Sequence, residues 1–305
     1  MKQLLILSGK GGTGKTTLAS AFIHFSQARA YADCDVDAPN LHLVMGHRNQ
    51  PEKSDYYGLP TAVIDQSLCT ECDLCRAHCR FNAISAEDGY KVDPFACEGC
   101  GVCHYLCPAG AITMKNIPAG EMMLYKNKEV FSTARLVMGS GNSGLLVTEV
   151  KKAMKNAIET DFAIIDGSPG IGCPVIASLS GVDYVLIVAE PSLSGISDMK
   201  RIIKTAHIQG VETAVCINKF DLCLENTKHI EELCKELGIH FVGKIPFDPM
   251  ALEMVNSGKT IADVACPSGE AAKDVFDELM GLMKNKNHKN LVKLGLKGEE
   301  NESRL

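Results

Sequence analysis

The stretch Gly9-Lys10-Gly11-Gly12-Thr13-Gly14-Lys15-Thr16-Thr17 decides the fold of this chain. It contains the pattern G-x4-G-K-[ST], follows the apolar residues 3–7 and opens a segment of helical character. Glycines in such a loop allow backbone N–H groups to surround phosphate oxygens, and the dipole of the following helix favours negative charge. The nine residues are therefore predicted to bind the phosphates of a nucleotide, with Lys15 on the β- and γ-phosphates and Thr16 on Mg²⁺.

Apolar runs of strand length recur beyond this loop, at residues 162–165, 184–189, 213–217 and 240–245. Segments of helical period separate them; in one of these, residues 196–206, apolar side chains recur at steps of three and four. Parallel strands need crossover helices, which cover both faces of their sheet. The pattern predicts an α/β fold with a doubly wound, mostly parallel sheet of the P-loop NTPase type.

Acidic residues follow two of the predicted strands. Asp166 ends the run 162–165, where a carboxylate is expected to meet the Mg²⁺ through water. Asp33, Asp35 and Asp37 follow the second strand, and a carboxylate there could position the water that attacks the phosphate. Asp35 is the stronger candidate and Asp37 the weaker one. Such residues are also common as solvated caps of strands and helices, so that alternative stays open.

Residues 64–115 interrupt the α/β pattern with an internal repeat whose offset is 28 residues. Each half carries the spacing C-x2-C-x2-C-x3-C, and the match extends to the flanking apolar positions. At this spacing three thiolates bind one iron–sulfur cluster, and the fourth binds the other cluster of a two-cluster module. Two 4Fe–4S clusters are predicted, the first on Cys69, Cys72, Cys75 and Cys107, and the second on Cys97, Cys100, Cys103 and Cys79. Zinc and disulfides are the less favoured alternatives.

The composition excludes several classes of protein. The 305 residues are 46% apolar and 22% charged, which is typical of a folded globular chain. The net charge of −6 offers no overall field that would attract nucleic acid or an anionic membrane. Eight of the 14 cysteines lie within residues 69–107, which favours metal binding in a reducing compartment over a disulfide framework.

The domain boundaries follow from these patterns. Residues 1–62 and 116–284 are predicted to form a discontinuous ATPase domain, residues 63–115 an inserted small α+β domain, and residues 285–305 a polar flexible tail. Turn-rich segments around residues 46–60 and 118–120 are expected to connect the insert. The chain has neither a membrane-spanning apolar run nor a signal-peptide pattern, so a cytoplasmic protein without stable membrane insertion is expected.

With Lys10 included, the loop resembles the deviant P-loop of the MinD/ParA family, which also contains the nitrogenase iron protein. Residues 33–41 resemble the switch I segment of that family, and residues 166–170 resemble its switch II segment. The resemblance implies an ATP-dependent homodimer in which Lys10 reaches the partner's ATP and Asp35 assists hydrolysis. It also implies an adenine pocket formed by Asn218, Lys219, Pro246, Phe247 and Asp248.

The cysteine module resembles bacterial two-cluster ferredoxins, including the proline that follows Cys107. Arg80 stands where the first half of such a module usually has a proline. Six further cysteines are expected to be small buried hydrophobic residues. One of them, Cys173, has the position at which the nitrogenase iron protein holds a cluster ligand, but residues 138–142 offer no second cysteine, so a third cluster is not expected.

Three functions are compatible with these features. In the favoured one, ATP binding and hydrolysis in a homodimer gate electron transfer from the two clusters to a partner metalloprotein. In the second, the protein is an assembly or carrier factor that delivers clusters or metallocofactors to client proteins. In the third, it is a membrane-associated positioning ATPase, which is disfavoured because polar residues 285–290 interrupt the apolar pattern of residues 279–296.

Overall fold

The computed structural model describes residues 1–46 and 50–299, and the side chains of its last helix up to Lys284. The strands are β1 (Lys2–Leu7), β2 (Ala30–Asp33), β3 (Glu52–Tyr57), β4 (Thr61–Ile64), β5 (Ile84–Ser85), β6 (Lys91–Val92), β7 (Ile112–Lys115), β8 (Pro118–Lys126), β9 (Val130–Leu136), β10 (Phe162–Asp166), β11 (Tyr184–Ala189), β12 (Glu212–Asn218) and β13 (His240–Ile245). The helices are α1 (Lys15–Ser26), α2 (Leu41–Val44), α3 (Leu74–Ala77), α4 (Val102–Leu106), α5 (Ser143–Ala157), α6 (Cys173–Leu179), α7 (Leu193–Ile208), α8 (Leu224–Glu236), α9 (Pro249–Asn256) and α10 (Pro267–Glu299).

A nine-stranded sheet in the order β13-β12-β11-β1-β10-β2-β9-β8-β3 forms the centre of the molecule. The strands from β13 to β9 run parallel, and β8 pairs antiparallel with both β9 and β3. This confirms the α/β fold with a mostly parallel sheet. Because the central strands are parallel, their carboxyl ends all meet at one edge, where ligands bind in sheets of this kind.

Helices cover both faces of the sheet. On one face Leu146 of α5, Val175 of α6, Met199 of α7 and Ile230 of α8 belong to one buried cluster. On the other face, apolar side chains of α1 and α10 form a second cluster with the opposite sides of the same strands. The period expected in residues 196–206 is confirmed, since its apolar residues are buried in α7.

Three strands of the central sheet, β3, β8 and β9, were not predicted from the sequence. Segments interpreted as turn-rich connectors contain β3, which pairs with β8 along Glu52–Tyr57, and β9 continues the sheet next to β2. The side chains of β3 are almost all exposed, because this strand forms the edge of the sheet. Its residues therefore lack the buried pattern by which strands are recognised.

The insert forms a small unit beside this edge. Its strand β4 pairs with β7, β5 pairs with β6, and the short helices α3 and α4 lie between them along the chain. Of the predicted tail, residues 285–299 continue the backbone of α10, while their side chains and residues 300–305 lie outside the described part. None of the helices in the described residues combines the length and apolar character needed to cross a membrane.

Candidate nucleotide site and cysteine module

The phosphate-binding loop joins β1 to α1, and two of its glycines are required by close packing. A Cβ atom on Gly9 would lie 2.1 Å from Cβ of Asp198 in α7. Gly14 has a φ of +91°, and a Cβ there would lie 2.2 Å from Nδ2 of Asn218. Because α7 and the end of β12 abut the loop this closely, any larger residue would displace it.

Lys15, Thr16 and Asp166 meet at the start of α1. The Lys15 ammonium lies 2.5 Å from Oδ1 of Asp166, and the Thr16 hydroxyl donates to Oδ2 at 2.6 Å. Burial lowers the pKa of Lys15, but the carboxylates of Asp166 and Asp33 outweigh it and raise this pKa overall. The hydroxyl and carboxylate oxygens are the kind of ligand that Mg²⁺ takes, so these residues fit such an ion.

Asp33 has a structural role that the sequence analysis did not assign. Its buried carboxylate accepts N–H bonds from Asp35 at 3.0 Å, Asn40 at 2.9 Å and Leu41 at 3.0 Å, and so holds residues 35–41 in place. Burial raises the pKa of Asp33, and the neighbouring Asp166 raises it further. In the sequence, only the position of Asp33 at the end of a predicted strand pointed to this role.

Asp35 and Asp37 are placed differently. Asp35 is partly buried and lines the nucleotide cleft, whereas Asp37 is exposed and does not line it. Burial is the main cause that raises the pKa of the Asp35 carboxyl. Of the two candidates, only Asp35 is therefore positioned to face a bound nucleotide.

The two segments that resemble switch I and switch II, residues 33–41 and 166–170, contact each other directly. The hydroxyl of Ser168 donates to the backbone carbonyl of Cys34, and the Cys34 N–H donates to the carbonyl of Asp166 at 2.8 Å. The N–H of Gly170 donates to the carbonyl of Ser8 at 3.0 Å. A shift of residues 166–170 would therefore disturb hydrogen bonds both to the phosphate loop and to residues 33–41.

Lys10 is held by its own chain. Its ammonium lies 2.7 Å from Oε2 of Glu190 and 3.2 Å from the hydroxyl of Ser192. Glu190 also lies 3.5 Å from the ammonium of Lys219. Burial raises the pKa of Glu190, but the hydrogen bond from Lys10 and the charges of both lysines outweigh burial and lower this pKa overall. Glu190 follows β11 at the same edge of the sheet, a position that could have identified it.

The predicted adenine-binding residues line one cleft of about 920 Å³ together with the phosphate loop. The Asn218 amide donates to the carbonyl of Thr13 at 2.7 Å, and the Lys219 ammonium donates to that of Gly12 at 2.8 Å. Asp248 also lines the cleft, but its carboxylate accepts from Met250 and Ser268. This carboxylate therefore joins α9 to the start of α10.

The eight cysteines of the insert surround two separate cavities. One cavity is lined by Cys69, Cys72, Cys75 and Cys107, and the other by Cys79, Cys97, Cys100 and Cys103. The structure thus brings together the same two groups of four that the spacing predicted, each with one cysteine from the other repeat. Among the described residues, no three His, Cys, Asp or Glu side chains form a group suited to a single metal ion.

Matching hydrogen bonds relate the two repeats. The N–H of Asp65 donates to the carbonyl of Ala111, and that of Asp93 donates to Ala83, both at 2.8 Å. Ala83 N–H lies 3.4 Å from Sγ of Cys79, and Ala111 N–H lies 3.3 Å from Sγ of Cys107. In each repeat the fourth cysteine, Cys79 or Cys107, therefore lies towards the other repeat, and its sulfur accepts a hydrogen bond from a backbone N–H.

Six cysteines lie outside the two groups of four. Cys34, Cys216, Cys234 and Cys266 are buried, as predicted, and burial raises the pKa of Cys216 to about 12. Cys223 is only half-buried and Cys173 is exposed, which corrects the expectation that these two are buried hydrophobic residues. Cys173 begins α6 at the ligand-binding edge of the sheet, so neighbouring strands do not cover it.

The chain is similar to several known proteins. The chain is 29% identical to an uncharacterized protein of Methanocaldococcus jannaschii over 91% of this chain and 96% of that protein. It is 22% identical to the iron-sulfur cluster carrier protein of the same organism, over 93% and 86% of the two chains.

Among solved structures, MinD of Pyrococcus horikoshii complexed with Mg-ADP superposes with a TM-score of 0.58. It is 18% identical in sequence, and the match covers 92% of this chain and 97% of that one, so it supports the fold. The profile of the CobQ/CobB/MinD/ParA nucleotide binding domain matches residues 4–261. The chain therefore belongs to the CobQ/CobB/MinD/ParA family of nucleotide-binding proteins.

Proposed function

We propose that this chain is an ATPase whose homodimer uses ATP to gate electron transfer from two 4Fe–4S clusters to a partner metalloprotein. One observation carries the proposal: two cavities, each lined by four cysteines, lie in a unit inserted into a nucleotide-binding domain. Clusters bound there would supply one-electron redox chemistry. The partner is characterised only by its need for electrons delivered under nucleotide control.

The cysteine sites fit such clusters in ligand number and in their surroundings. Four thiolates are the full complement for one 4Fe–4S cluster. The backbone N–H groups that donate to the sulfurs of Cys79 and Cys107 would stabilise these sulfurs as ligands. Burial raises the pKa of Cys75 and Cys103, and the neighbouring cysteines of each site raise it further. Metal binding would displace the thiol protons and neutralise the resulting thiolates, whose mutual repulsion opposes deprotonation when no metal is bound.

The residues of the nucleotide site have defined tasks in this proposal. Lys15 exchanges Asp166 for the β- and γ-phosphates, and the oxygens of Thr16 and Asp166 are placed to hold Mg²⁺. A Mg²⁺ ion bound there would neutralise charge on the phosphates. Asp35, which faces the cleft, orients the attacking water. Lys10 must leave Glu190 before it can reach the ATP of a second copy.

A carrier or assembly factor is the second candidate. The observation in its favour is the match to proteins named iron-sulfur cluster carrier protein, in Methanocaldococcus jannaschii and in Pyrococcus abyssi, at 22% and 23% identity. The two candidates differ in what leaves the protein. A carrier releases iron and sulfide to an acceptor, whereas a redox protein keeps both and loses only electrons.

The first experiment measures iron and acid-labile sulfide in protein purified without oxygen. About eight of each per chain are expected, since each cube contains four irons and four sulfides. Cys79→Ser and Cys107→Ser should each damage one cluster, while the matched control Cys173→Ser should leave the iron content unchanged. Stoichiometric zinc without sulfide would contradict the proposal.

The second experiment separates redox gating from delivery. Cluster-loaded protein is incubated with ATP and a cluster-free ferredoxin, and the iron that appears in the acceptor is counted. Gated electron transfer predicts retention of the iron and a reduction potential that differs with and without a non-hydrolysable ATP analogue. ATP-dependent loss of iron to the acceptor would favour the carrier function instead.

A further inference from the structure

The loop of residues 137–142, here called the bridging loop, lies between the ATPase domain and the second cysteine repeat. A Cβ on Gly139 would lie 3.3 Å from Cδ1 of Phe95. A Cβ on Gly141 would lie 3.4 Å from Oε1 of Glu98. Phe95 and Glu98 flank Cys97, so the bridging loop packs against the segment that carries a cysteine of the second cavity.

A second contact reaches the same repeat. Gly99 has a φ of +65°, and a Cβ there would lie 2.6 Å from the carbonyl oxygen of Pro60. The residue at the equivalent position of the first repeat is Glu71, which has a φ of +54° and an exposed side chain. The two repeats share this backbone conformation, but only in the second does the chain leading from β3 leave no room for a side chain.

The bridging loop is also joined to the nucleotide switch. It follows Leu136, whose N–H donates to the carbonyl of Val36 at 2.9 Å. Val36 is fully buried and adjoins Asp35, which lines the nucleotide cleft. At its start, the N–H of Val137 donates to the carbonyl of Ala119 in β8 at 2.8 Å. A movement of residues 35–41 therefore has a continuous path of contacts to Glu98.

The two cavities differ in their access to this path. Glu98 lines the second cavity, and its carboxylate lies beside Gly141 of the bridging loop. The linings of both cavities lie between positions 62 and 114, but no residue that lines the first cavity is among the neighbours of Gly139 or Gly141. A displacement of the loop would thus move a carboxylate at the edge of the second cavity and leave the wall of the first unchanged.

From these contacts we infer that nucleotide acts on the second cysteine site, Cys79, Cys97, Cys100 and Cys103, through the bridging loop, and that the first site is insulated from it. This inference rests on the proposed function, because it names which of the two cluster sites ATP regulates. The reduction potential of a cluster depends on nearby charge and on solvent exposure. Glu98 acts as a positioning residue, because its movement with the bridging loop would change the charge beside the second site. By linkage, occupancy or reduction of the second site must alter nucleotide affinity to the same extent.

Amide hydrogen exchange on the full chain tests the inference directly. Protein prepared without oxygen is compared with and without Mg²⁺ and a non-hydrolysable ATP analogue, and iron content is measured on the same sample. Exchange in residues 95–101 and in the bridging loop should change by about fivefold or more, the lower end of usual coupling. Exchange in the equivalent residues 67–73 should stay the same.

A variant pair isolates the contact. The double variant Phe95→Ala/Glu98→Ala should retain protection of the phosphate loop by the analogue, but lose the change in residues 95–101. Glu87→Ala removes one exposed carboxylate from the same insert, away from the described contacts with the bridging loop, and should retain the full change. Thermal unfolding of each variant verifies that the fold is intact.

The possible outcomes are distinct. Equal changes in both repeats, changes confined to residues 67–73, or no change in residues 95–101 while the phosphate loop is protected would each overturn the inference. A response confined to residues 95–101 in protein without iron or sulfide would overturn the clusters of the proposed function, but would support the path itself. No protection of the phosphate loop would overturn both.

Discussion

Replacing Lys15 by Met removes a buried ammonium but keeps most of the apolar stem. Its partner Asp166 is fully buried, and the side chain of Lys15 itself is only 6% exposed. Removing one partner of a buried pair costs about 3–5 kcal/mol of folding free energy. We expect a loss of about 3 kcal/mol, the lower end of this range, because the Thr16 hydroxyl still donates to the Asp166 carboxylate after Lys15 is replaced. Lys10→Met is the matched control, since Lys10 is 38% exposed, and it should cost less than about 1 kcal/mol.

The loss of stability should also depend on pH. Lys15 lowers the pKa of the buried Asp33, so Lys15→Met raises this pKa further above its value in the unfolded chain. A carboxyl whose pKa is raised by folding stabilises the protein fully below its unfolded pKa, and this contribution is lost as the pH rises through the folded pKa. The deficit of Lys15→Met relative to the natural chain should therefore be larger at about pH 8 than at about pH 5.

Urea unfolding without nucleotide, at both pH values, measures these free energies. The natural chain, Lys15→Met and Lys10→Met are compared under identical conditions. If the two variants lose the same small amount of stability, the buried ion pair has no special energetic role in this loop. A deficit that shrinks at high pH would contradict the assignment of Asp33 as the titrating neighbour.

Two further predictions concern the same site. Asp35→Ala should bind ATP with nearly unchanged affinity but release phosphate about 100-fold more slowly or worse, because no carboxylate then orients the water; an unchanged rate would exclude this role. Gly9→Ala should destabilise the protein by about 1–3 kcal/mol and weaken nucleotide binding, because its Cβ would collide with a side chain of α7. Gly11→Ala, where a Cβ would meet nothing within 4 Å, should have little effect on unfolding; equal losses in both glycine variants would refute the packing argument.

Much of the architecture was predictable because its signals are local. The glycine-rich loop is defined by nine consecutive residues, and the buried parallel strands appear as short continuous apolar runs. The two cysteine groups were predicted from a repeat whose spacing is typical of proteins that bind iron–sulfur clusters. The strand β3 was missed because an exposed edge strand has no apolar periodicity to distinguish it from a connector.

The sequence by itself determined the nucleotide-binding loop, the parallel α/β sheet and the grouping of the eight cysteines, since each depends on residue types at short, fixed spacing. Only the tertiary structure decided that Glu190 holds Lys10, that Ser168 joins the two switch segments, and that the second cysteine repeat faces the bridging loop. The first two contacts join residues far apart in the chain. The third joins the bridging loop to the insert. These contacts exist because strand order brings distant carboxyl ends to one edge, and that order arises from packing of the whole chain rather than from any local pattern.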